Sequence, residues 1–250
     1  MSRSPAPENW CEISYYELDT PVGETFKASS RDSPCVQVDG YVEQNDKKRF
    51  CLGALSNVQR KDDSEKTMLH IGKGILLELE GEGDVYLCCQ SKSSVYVQSP
   101  FLDDQQEAIQ GKKLGELVHK FPPYARYKVF DLRQCCQKMK ERIFSSTETG
   151  STVPNGGHLA PALSHVSAAN GFGIDDLRKL CTIRVSFVKG YGPDYPRKKI
   201  VETPCWIQVQ LHRGLQVLDE ILLQNKTVQE SPKQNPTTSP RHEPVEASGF

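Results

Sequence analysis

The sequence predicts a mainly β fold, an antiparallel β-sandwich with a small helical bundle attached to it. Three observations indicate this class. Apolar residues alternate with polar ones in short segments, turn residues separate these segments, and strands and helices do not alternate regularly along the chain. Of the 250 residues, 37% are hydrophobic and 25% are charged, a balance typical of a protein that buries a core. We therefore expect a sandwich rather than a series of βαβ units.

The predicted strands have one buried and one wet face. In the clearest example every second residue from Ile75 to Leu79 is apolar, and a turn of Gly and acidic residues at 81–84 follows. Ile207 and Val209 alternate with glutamines in the same way near the end of the chain. Alternating apolar segments recur from Asn9 onward. The remaining predicted strands are 35–42, 50–52, 85–89, 95–98, 127–130 and 184–188.

Three helices are predicted from apolar residues that recur at spacings of three and four. Asp131 can cap the first helix, and the second has acidic residues in its first turn and basic residues later, as the helix dipole favours. In the third, Leu215, Leu218 and Leu222 share one face. Because the apolar stripes can cover one another, we expect a bundle. The predicted helices are 132–143, 174–181 and 212–223, with a more polar one near 56–68.

Three further segments contain little that could pack into a core. Residues 1–8 and 224–250 read as a disordered lead and a disordered tail, and 145–171 is rich in Ser, Thr, Gly, Ala and Pro. Such a composition does not bury enough apolar surface to offset the entropy lost on ordering. We predict a domain at 9–223 with a mobile insertion at 145–171.

Composition and motif searches exclude several classes of function. A net charge of −1 argues against non-specific nucleic-acid binding, and no apolar run is long enough to span a membrane. The nine cysteines form no C-x-x-C pair, which favours reduced structural thiols in an intracellular protein. Phosphate-loop, dinucleotide and hydrolase motifs are missing, and the six histidines lack ligand spacing. We expect no enzyme activity, no metal and no cofactor.

One basic loop, residues 186–199, differs from the rest of the surface. It follows a predicted strand and contains two glycines, two prolines, two tyrosines, four cations and one acid. Glycine and proline can hold a loop in one conformation, and Arg beside Lys on such a loop can pair with a phosphate through charge-assisted hydrogen bonds. From the residues alone, an ordinary solvated surface loop is an equally open reading.

Residues 181–197 and 202–207 closely resemble the C-terminal, or MAD homology 2, domain of the Smad signal transducers. The resemblance extends in order from about Asn9 to Leu223, and Tyr191 departs from it because tryptophan is usual there. It implies a Smad/FHA-like β-sandwich with a three-helix bundle at one end and a loop–helix region at the other. Other matching segments are 10–18, 22–26, 38–42, 49–53, 55–58 and 70–74.

The subclass is indicated by residues 81–85, 129–135 and 175–178, which resemble the common-mediator Smads rather than the receptor-regulated or inhibitory ones. The insertion lies where that class carries one. The chain ends at 246–250 without the Ser-Ser-x-Ser that receptor kinases phosphorylate in receptor-regulated Smads. The resemblance therefore implies a protein that recognises phosphoserine on its partners.

The same resemblance implies the partners and the setting. These are phosphorylated receptor-regulated Smads in heterotrimers, a homotrimer of the chain itself, and DNA-binding transcription cofactors. The complexes would regulate transcription downstream of TGF-β or BMP receptors, in the cytoplasm and nucleus. No DNA-binding domain precedes Asn9, so we expect no direct DNA contact from this chain. The alternative is an inhibitory or truncated Smad that occupies complexes without supporting transcription.

Site residues are also implied by the resemblance, position by position. Arg49 and Asp219 are expected to meet across a subunit boundary, so that losing either would abolish assembly but leave the stability of the monomer nearly unchanged. The matching phosphoserine-contacting residues are Lys189, Arg197 and Lys120, and the matching subunit-interface residues are Asp39, Arg49, Val58 and Asp219.

Overall fold

A computed structural model of the chain describes residues 4–43, 46, 48–112, 115–148 and 173–230. The predicted mobile insertion lies outside these residues from position 149 onward, and the predicted tail does so from position 231 onward. Among the described residues, no helix is both long and apolar enough to cross a membrane.

Eleven strands in the described residues form two sheets, as the sandwich prediction requires. The six-stranded sheet has the order β2-β1-β11-β10-β7-β8, and the five-stranded sheet has the order β4-β3-β5-β6-β9. All pairs are antiparallel except β3 with β4, which is parallel, so the prediction of a purely antiparallel sandwich is corrected at that edge. The strands are β1 Asn9–Glu17, β2 Thr20–Ser29, β3 Cys35–Asp39, β4 Arg49–Cys51, β5 Ile75–Glu80, β6 Asp84–Cys89, β7 Val95–Gln98, β8 His119–Phe121, β9 Arg126–Phe130, β10 Thr182–Phe187 and β11 Trp206–Leu211.

The core lies between the two sheets and follows from the alternation in the sequence. On the six-stranded sheet Ile13, Val209 and Ile183 stand in register across β1, β11 and β10, and all three are fully buried. On the other sheet Leu77 pairs with Leu87 in β6, and both are fully buried as well. Because side chains alternate between the two faces of a strand, these residues form one apolar layer while their neighbours face outward.

Five α-helices occur in the described residues, including the three that the periodicity predicts. The predicted N-cap is confirmed: the side chain of Asp131 accepts a hydrogen bond from the backbone N–H of Gln134 at 2.8 Å. The helix after His212 continues past the predicted end at Leu223, and the helix after Asp131 continues into the predicted insertion. The helices are α1 Asp62–Ile71, α2 Pro100–Gln110, α3 Leu132–Glu148, α4 Ile174–Lys179 and α5 His212–Glu230.

Helices α3, α4 and α5 pack together at one end of the sandwich and form the predicted bundle. The backbone N–H of Leu132 donates to Asp84 at the start of β6, which places the bundle at this end of the five-stranded sheet. The buried stripe of α5 is centred on Val217, Leu218 and Ile221. It is therefore rotated from the predicted stripe, of which Leu215 and Leu222 are only half-buried.

At the opposite end lie α1, the end of β3 and the basic loop that follows β10. Val38 pairs with Ile75 at the start of β5, whereas the bundle lies beyond the end of β5. Strand β10 likewise runs from the bundle end to the basic loop, because the backbone N–H of Leu211 donates to Cys181 just before it. The expected arrangement of a bundle at one end and a loop–helix region at the other is confirmed.

Part of the predicted disordered lead is attached to the domain. Nη1 of Arg213 donates to the carbonyl oxygen of Ser4 at 2.9 Å, and Oγ of Ser30 donates to that of Pro7 at 2.6 Å. The backbone N–H of Ser30 donates to Glu8 in the same stretch. Polar contacts to the backbone thus attach residues 4–8 to the domain, although this segment has no apolar pattern.

Candidate functional site

The basic loop is held in one conformation by aromatic packing. The Tyr191 side chain is buried against Tyr96 and Trp206 of the six-stranded sheet, and this burial raises the pKa of its hydroxyl. The ring of Tyr195 packs edge-on against Tyr96, with 5.3 Å between the ring centroids. A Cβ on Gly190 would lie 2.4 Å from the Tyr195 ring, so only glycine fits there. The position where the resemblance departs from tryptophan is thus an internal anchor of the loop.

The loop also depends on polar contacts with its own backbone. Nζ of Lys198 donates to the carbonyl oxygens of Pro193 and Tyr195 at 3.0 and 2.9 Å, so this cation stabilises the loop instead of facing a ligand. Val188, where the loop begins, has a φ of 65°, a left-handed conformation that is costly for a β-branched residue. Its backbone N–H donates to Ser94 at 3.2 Å. Strain of this kind persists only where the surrounding structure enforces it.

The predicted phosphoserine-contacting residues all belong to this end of the six-stranded sheet. Lys189 is at the start of the basic loop and Arg197 is near its end. Lys120 lies in β8 directly opposite Tyr96, and cross-strand partners of this kind project from the same face of a sheet. Because Tyr96 contacts Tyr195, Lys120 is next to the loop. Its strand, β8, has no clear pattern in the sequence.

The three cations differ in their contacts. Neither Lys120 nor Lys189 has an ion-pair partner within the described part of the chain, and Lys120 is exposed. Arg197 is already paired: its Nη2 lies 2.9 Å from Oδ2 of Asp63 in the first turn of α1. The arrangement therefore offers two lysines and one engaged arginine to an anion.

Two of the predicted interface residues contact each other within the chain. Nε and Nη2 of Arg49 donate to Oδ2 of Asp39 at 3.0 and 2.9 Å, which raises the pKa of the guanidinium. Only 1% of the Asp39 side chain is exposed, and its Oδ1 accepts the backbone N–H of Tyr41. This pair argues against the expectation that loss of Arg49 leaves the stability of the monomer nearly unchanged, because that loss would strand a buried carboxylate.

Val58, the predicted apolar interface residue, is fully exposed at the tip of a fixed loop. Glu17 of β1 is buried and holds this loop on both sides: it accepts hydrogen bonds from Nδ2 of Asn57 at 2.8 Å and from Nε of Arg60 at 2.9 Å. Nη2 of Arg60 also donates to the carbonyl oxygen of Leu55. Single exposed aliphatic side chains are common on protein surfaces, so the interface role of Val58 stays a prediction.

Asp219, the remaining predicted interface residue, is exposed on α5 in the bundle, at the opposite end of the sandwich from Arg49. In the same bundle, an open groove of about 460 Å³ lies between α3 and α5, with Leu132, Cys136 and Val217 in its lining. The structure thus keeps Arg49 and Asp219 apart within one chain.

No catalytic or metal-binding constellation appears in the described residues. They contain no group of three His, Cys, Asp or Glu side chains that could hold a metal ion. All nine cysteines are free thiols, and burial raises the pKa of Cys205 to about 12, which makes it a poor nucleophile.

A two-sheet sandwich with a helical bundle at one end and a loop–helix face at the other defines a class of signalling domain. The chain matches the MH2 domain family over residues 8–212, and it belongs to that family. The resemblance to the Smad C-terminal domain is thereby confirmed. Its common-mediator type is confirmed by the relatives described next.

Individual relatives are similar to the chain over most of its length. The chain is 52% identical over 233 residues to Mothers against decapentaplegic homolog 4 of Homo sapiens and of Rattus norvegicus, covering 89% of this chain and 41% of each relative. Dwarfin sma-4 of Caenorhabditis elegans is 42% identical over 221 residues, covering 86% and 38%. The chain therefore spans about two-fifths of the length of the curated relatives it matches.

A more distant likeness occurs among solved structures. The IAD domain of Interferon Regulatory Factor 9 aligns with a TM-score of 0.49 and 9% sequence identity, covering 92% of this chain and 96% of that one. A likeness at this level carries no information about function.

Sequence reasoning missed two acidic residues that shape these surfaces, Glu17 and Asp63. Glu17 ends a strand of alternating residues, and nothing in that pattern shows that its carboxylate is buried under Arg60. Asp63 has a local signal, because consecutive aspartates at 62–63 are typical of a helix start. Its contact with Arg197, 134 residues away, depends on the fold.

Proposed function

We propose that this domain binds the phosphorylated carboxyl terminus of receptor-regulated Smads through Lys120, Lys189 and Arg197. The observation that carries the proposal is that buried aromatic rings hold the basic loop in one conformation beside Lys120. Lys189 and Arg197 belong to a loop anchored by buried Tyr191, and Lys120 lies in the adjacent strand. A preorganised set of donors loses little entropy when it binds an anion. Phosphoserine brings close to two negative charges and three acceptor oxygens.

The chemistry of these side chains suits a phosphate. The Arg197 guanidinium can donate two parallel hydrogen bonds to it, whereas Lys189 and Lys120 act as compact charges with three donors each. No carboxylate forms an ion pair with either lysine within the described ranges, so both can neutralise an incoming anion. An unphosphorylated serine would leave Lys189 and Lys120 without a counter-charge.

Assembly would use the two ends of the sandwich. The bundle of one subunit, with Asp219 and the groove between α3 and α5, would pack on the loop–helix face of the next, with Val58 and Arg49. Although Arg49 is held by Asp39, its Nη1 has no hydrogen-bond partner in the described part of the chain. It can therefore donate to a carboxylate of a neighbouring subunit. Such a head-to-tail contact can close into a trimer.

The proposed setting is the one that the resemblance to the Smad family implies. The complexes would be heterotrimers with receptor-regulated Smads, or homotrimers, and would act in the cytoplasm and nucleus on transcription downstream of TGF-β or BMP receptors. DNA-binding cofactors would supply sequence recognition. The binding surfaces described above imply an assembly module and not an enzyme.

Phosphate recognition can be tested with a fluorescent peptide that ends in a doubly phosphorylated Ser-x-Ser. We expect Lys189→Ala and Arg197→Ala each to weaken binding about tenfold, because a hydrogen bond to a charged group contributes about 1.5–3 kcal/mol and the remaining cations offset part of the loss. Lys199→Ala is the matched control, since Lys199 is an exposed cation at the end of the loop with no ion pair in the described residues. Equal binding of the unphosphorylated peptide would contradict the proposal.

Assembly can be tested separately by sedimentation with a phosphorylated partner domain. Asp219→Ala should abolish the complex and leave the thermal midpoint of the monomer unchanged, because Asp219 is exposed. Glu24→Ala, which removes an exposed carboxylate from β2, should assemble like the unmodified domain. Normal assembly of Asp219→Ala would rule out this interface.

A further inference from the structure

Asp63 forms an ion pair with Arg197, one of the three cations of the proposed phosphate site. Its Oδ2 lies 2.9 Å from Nη2 of Arg197, a distance typical of a strong charge-assisted hydrogen bond. The Arg197 side chain is 29% exposed, and the Asp63 side chain is 55% exposed. A pair this open to water can exchange partners, because solvent replaces either group at little cost.

The position of Asp63 is fixed by the helix that carries it. The next residue, Ser64, is buried, and its Oγ donates to the carbonyl oxygen of Pro204 at 2.9 Å. The Sγ of Cys205 in turn donates to the carbonyl oxygen of Ser64. The first turn of α1 is therefore tied to the segment that follows the basic loop, and Asp63 cannot easily move away from Arg197.

Asp63 stays beside the loop when Arg197 leaves it, because it belongs to the first turn of α1, where the helix dipole favours an acidic side chain. A phosphate that approaches Arg197 must displace this carboxylate and then remain near it. Both effects weaken the binding of an anion.

We propose that Asp63 is a specificity-determining residue that lowers the affinity of the basic loop for phosphoserine by holding Arg197 in the unbound domain. The inference rests on the proposed phosphoserine function and adds an internal competitor to it. A phosphate dianion can displace the carboxylate because it offers more charge and more acceptors to the same guanidinium. The competitor would keep the complex weak enough to dissociate once the partner is dephosphorylated.

The chain supplies a matched control in Asp62. It is exposed, belongs to the same first turn, and forms no ion pair within the described residues. Asp62→Asn and Asp63→Asn therefore make the same change in charge and in helix-dipole interaction, and only Asp63→Asn releases Arg197. The difference between the two variants measures the competition itself.

The experiment measures binding of the doubly phosphorylated Ser-x-Ser peptide and of its unphosphorylated form by fluorescence anisotropy. We expect Asp63→Asn to tighten phosphopeptide binding about two- to fivefold, the range for an ion pair of this exposure. Asp62→Asn should change it by less than about 1.5-fold, because charges that are not in contact are screened by salt. Neither variant should alter binding of the unphosphorylated peptide.

A double-mutant cycle shows whether the effect passes through Arg197. In an Arg197→Ala background, Asp63→Asn should have no more effect than Asp62→Asn, because the competition has no target. The inference is overturned if Asp63→Asn and Asp62→Asn behave alike, or if the Asp63→Asn gain survives without Arg197. If neither the unmodified domain nor Asp63→Asn prefers the phosphopeptide, the phosphoserine function itself fails.

Discussion

Two arginine–aspartate ion pairs lie at the loop–helix end of the sandwich. The shortest distance between nitrogen and oxygen is 2.9 Å in both, but their surroundings are very different. In the first, Arg49 contacts Asp39 at the edge of the five-stranded sheet, and only 1% of the Asp39 side chain is exposed. In the second, Arg197 contacts Asp63 at the start of α1, and 55% of the Asp63 side chain is exposed. Contact distance alone would rank the two pairs as equal.

The two ion pairs differ in how deeply their carboxylates are buried. Removing Arg49 leaves the Asp39 carboxylate in the protein interior, where it keeps the hydrogen bond from the backbone N–H of Tyr41. Removing Arg197 leaves Asp63 in water, where its charge is solvated. The first pair is therefore part of the fold, whereas the second is a contact that a ligand can exchange. Consequently Arg49 cannot be treated only as an interface residue.

The largest expected effect tests the buried pair. Arg49→Ala should lower the free energy of unfolding of the isolated domain by about 2–4 kcal/mol, because it strands a buried charge that retains partial solvent access on the arginine side. Chemical denaturation measures this directly. A matched variant, Arg49→Lys, should recover part of the loss by restoring one donor. Unchanged stability of Arg49→Ala would remove the distinction between the two pairs.

An intermediate effect is expected at a third pair, Arg60 with Glu17. Glu17 is as deeply placed as Asp39, but it also accepts hydrogen bonds from Asn57 and Tyr15. Arg60→Ala should therefore cost about 1–2 kcal/mol in unfolding free energy, since the remaining donors satisfy part of the carboxylate. A loss larger than that of Arg49→Ala would show that hydrogen-bond satisfaction matters less than we infer.

The smallest effect on stability is expected at the exposed pair. Arg197→Ala should change the free energy of unfolding by at most about 1 kcal/mol, although it should weaken phosphopeptide binding about tenfold. Both quantities come from the same preparation, by denaturation and by anisotropy. A large loss of stability would mean that Arg197 supports the loop, as Lys198 does, and its binding defect would then be indirect.

Whether the sequence predicts a structural feature of this protein depends on whether the residues that form the feature are close together along the chain. The alternation from Ile75 onward predicts β5, and the spacing after Asp131 predicts α3 with its cap, because both signals come from neighbouring residues. Helix α2 was missed because proline at its first position and a largely polar face give no strong periodicity. The bound part of the lead was missed because its contacts, to Arg213 and Ser30, come from distant parts of the chain.

The sequence by itself determined the class of fold, the three-helix bundle and the family, together with the cations of the basic loop. These follow from periodicity and from motifs that are read along the chain. Only the tertiary structure decided which charges are engaged. It paired Arg49 with Asp39, placed Asp63 against Arg197, and buried Tyr191 under the loop. The physical reason is that the energy of a charge depends on its burial and on partners far away in sequence, and neither is encoded in local spacing.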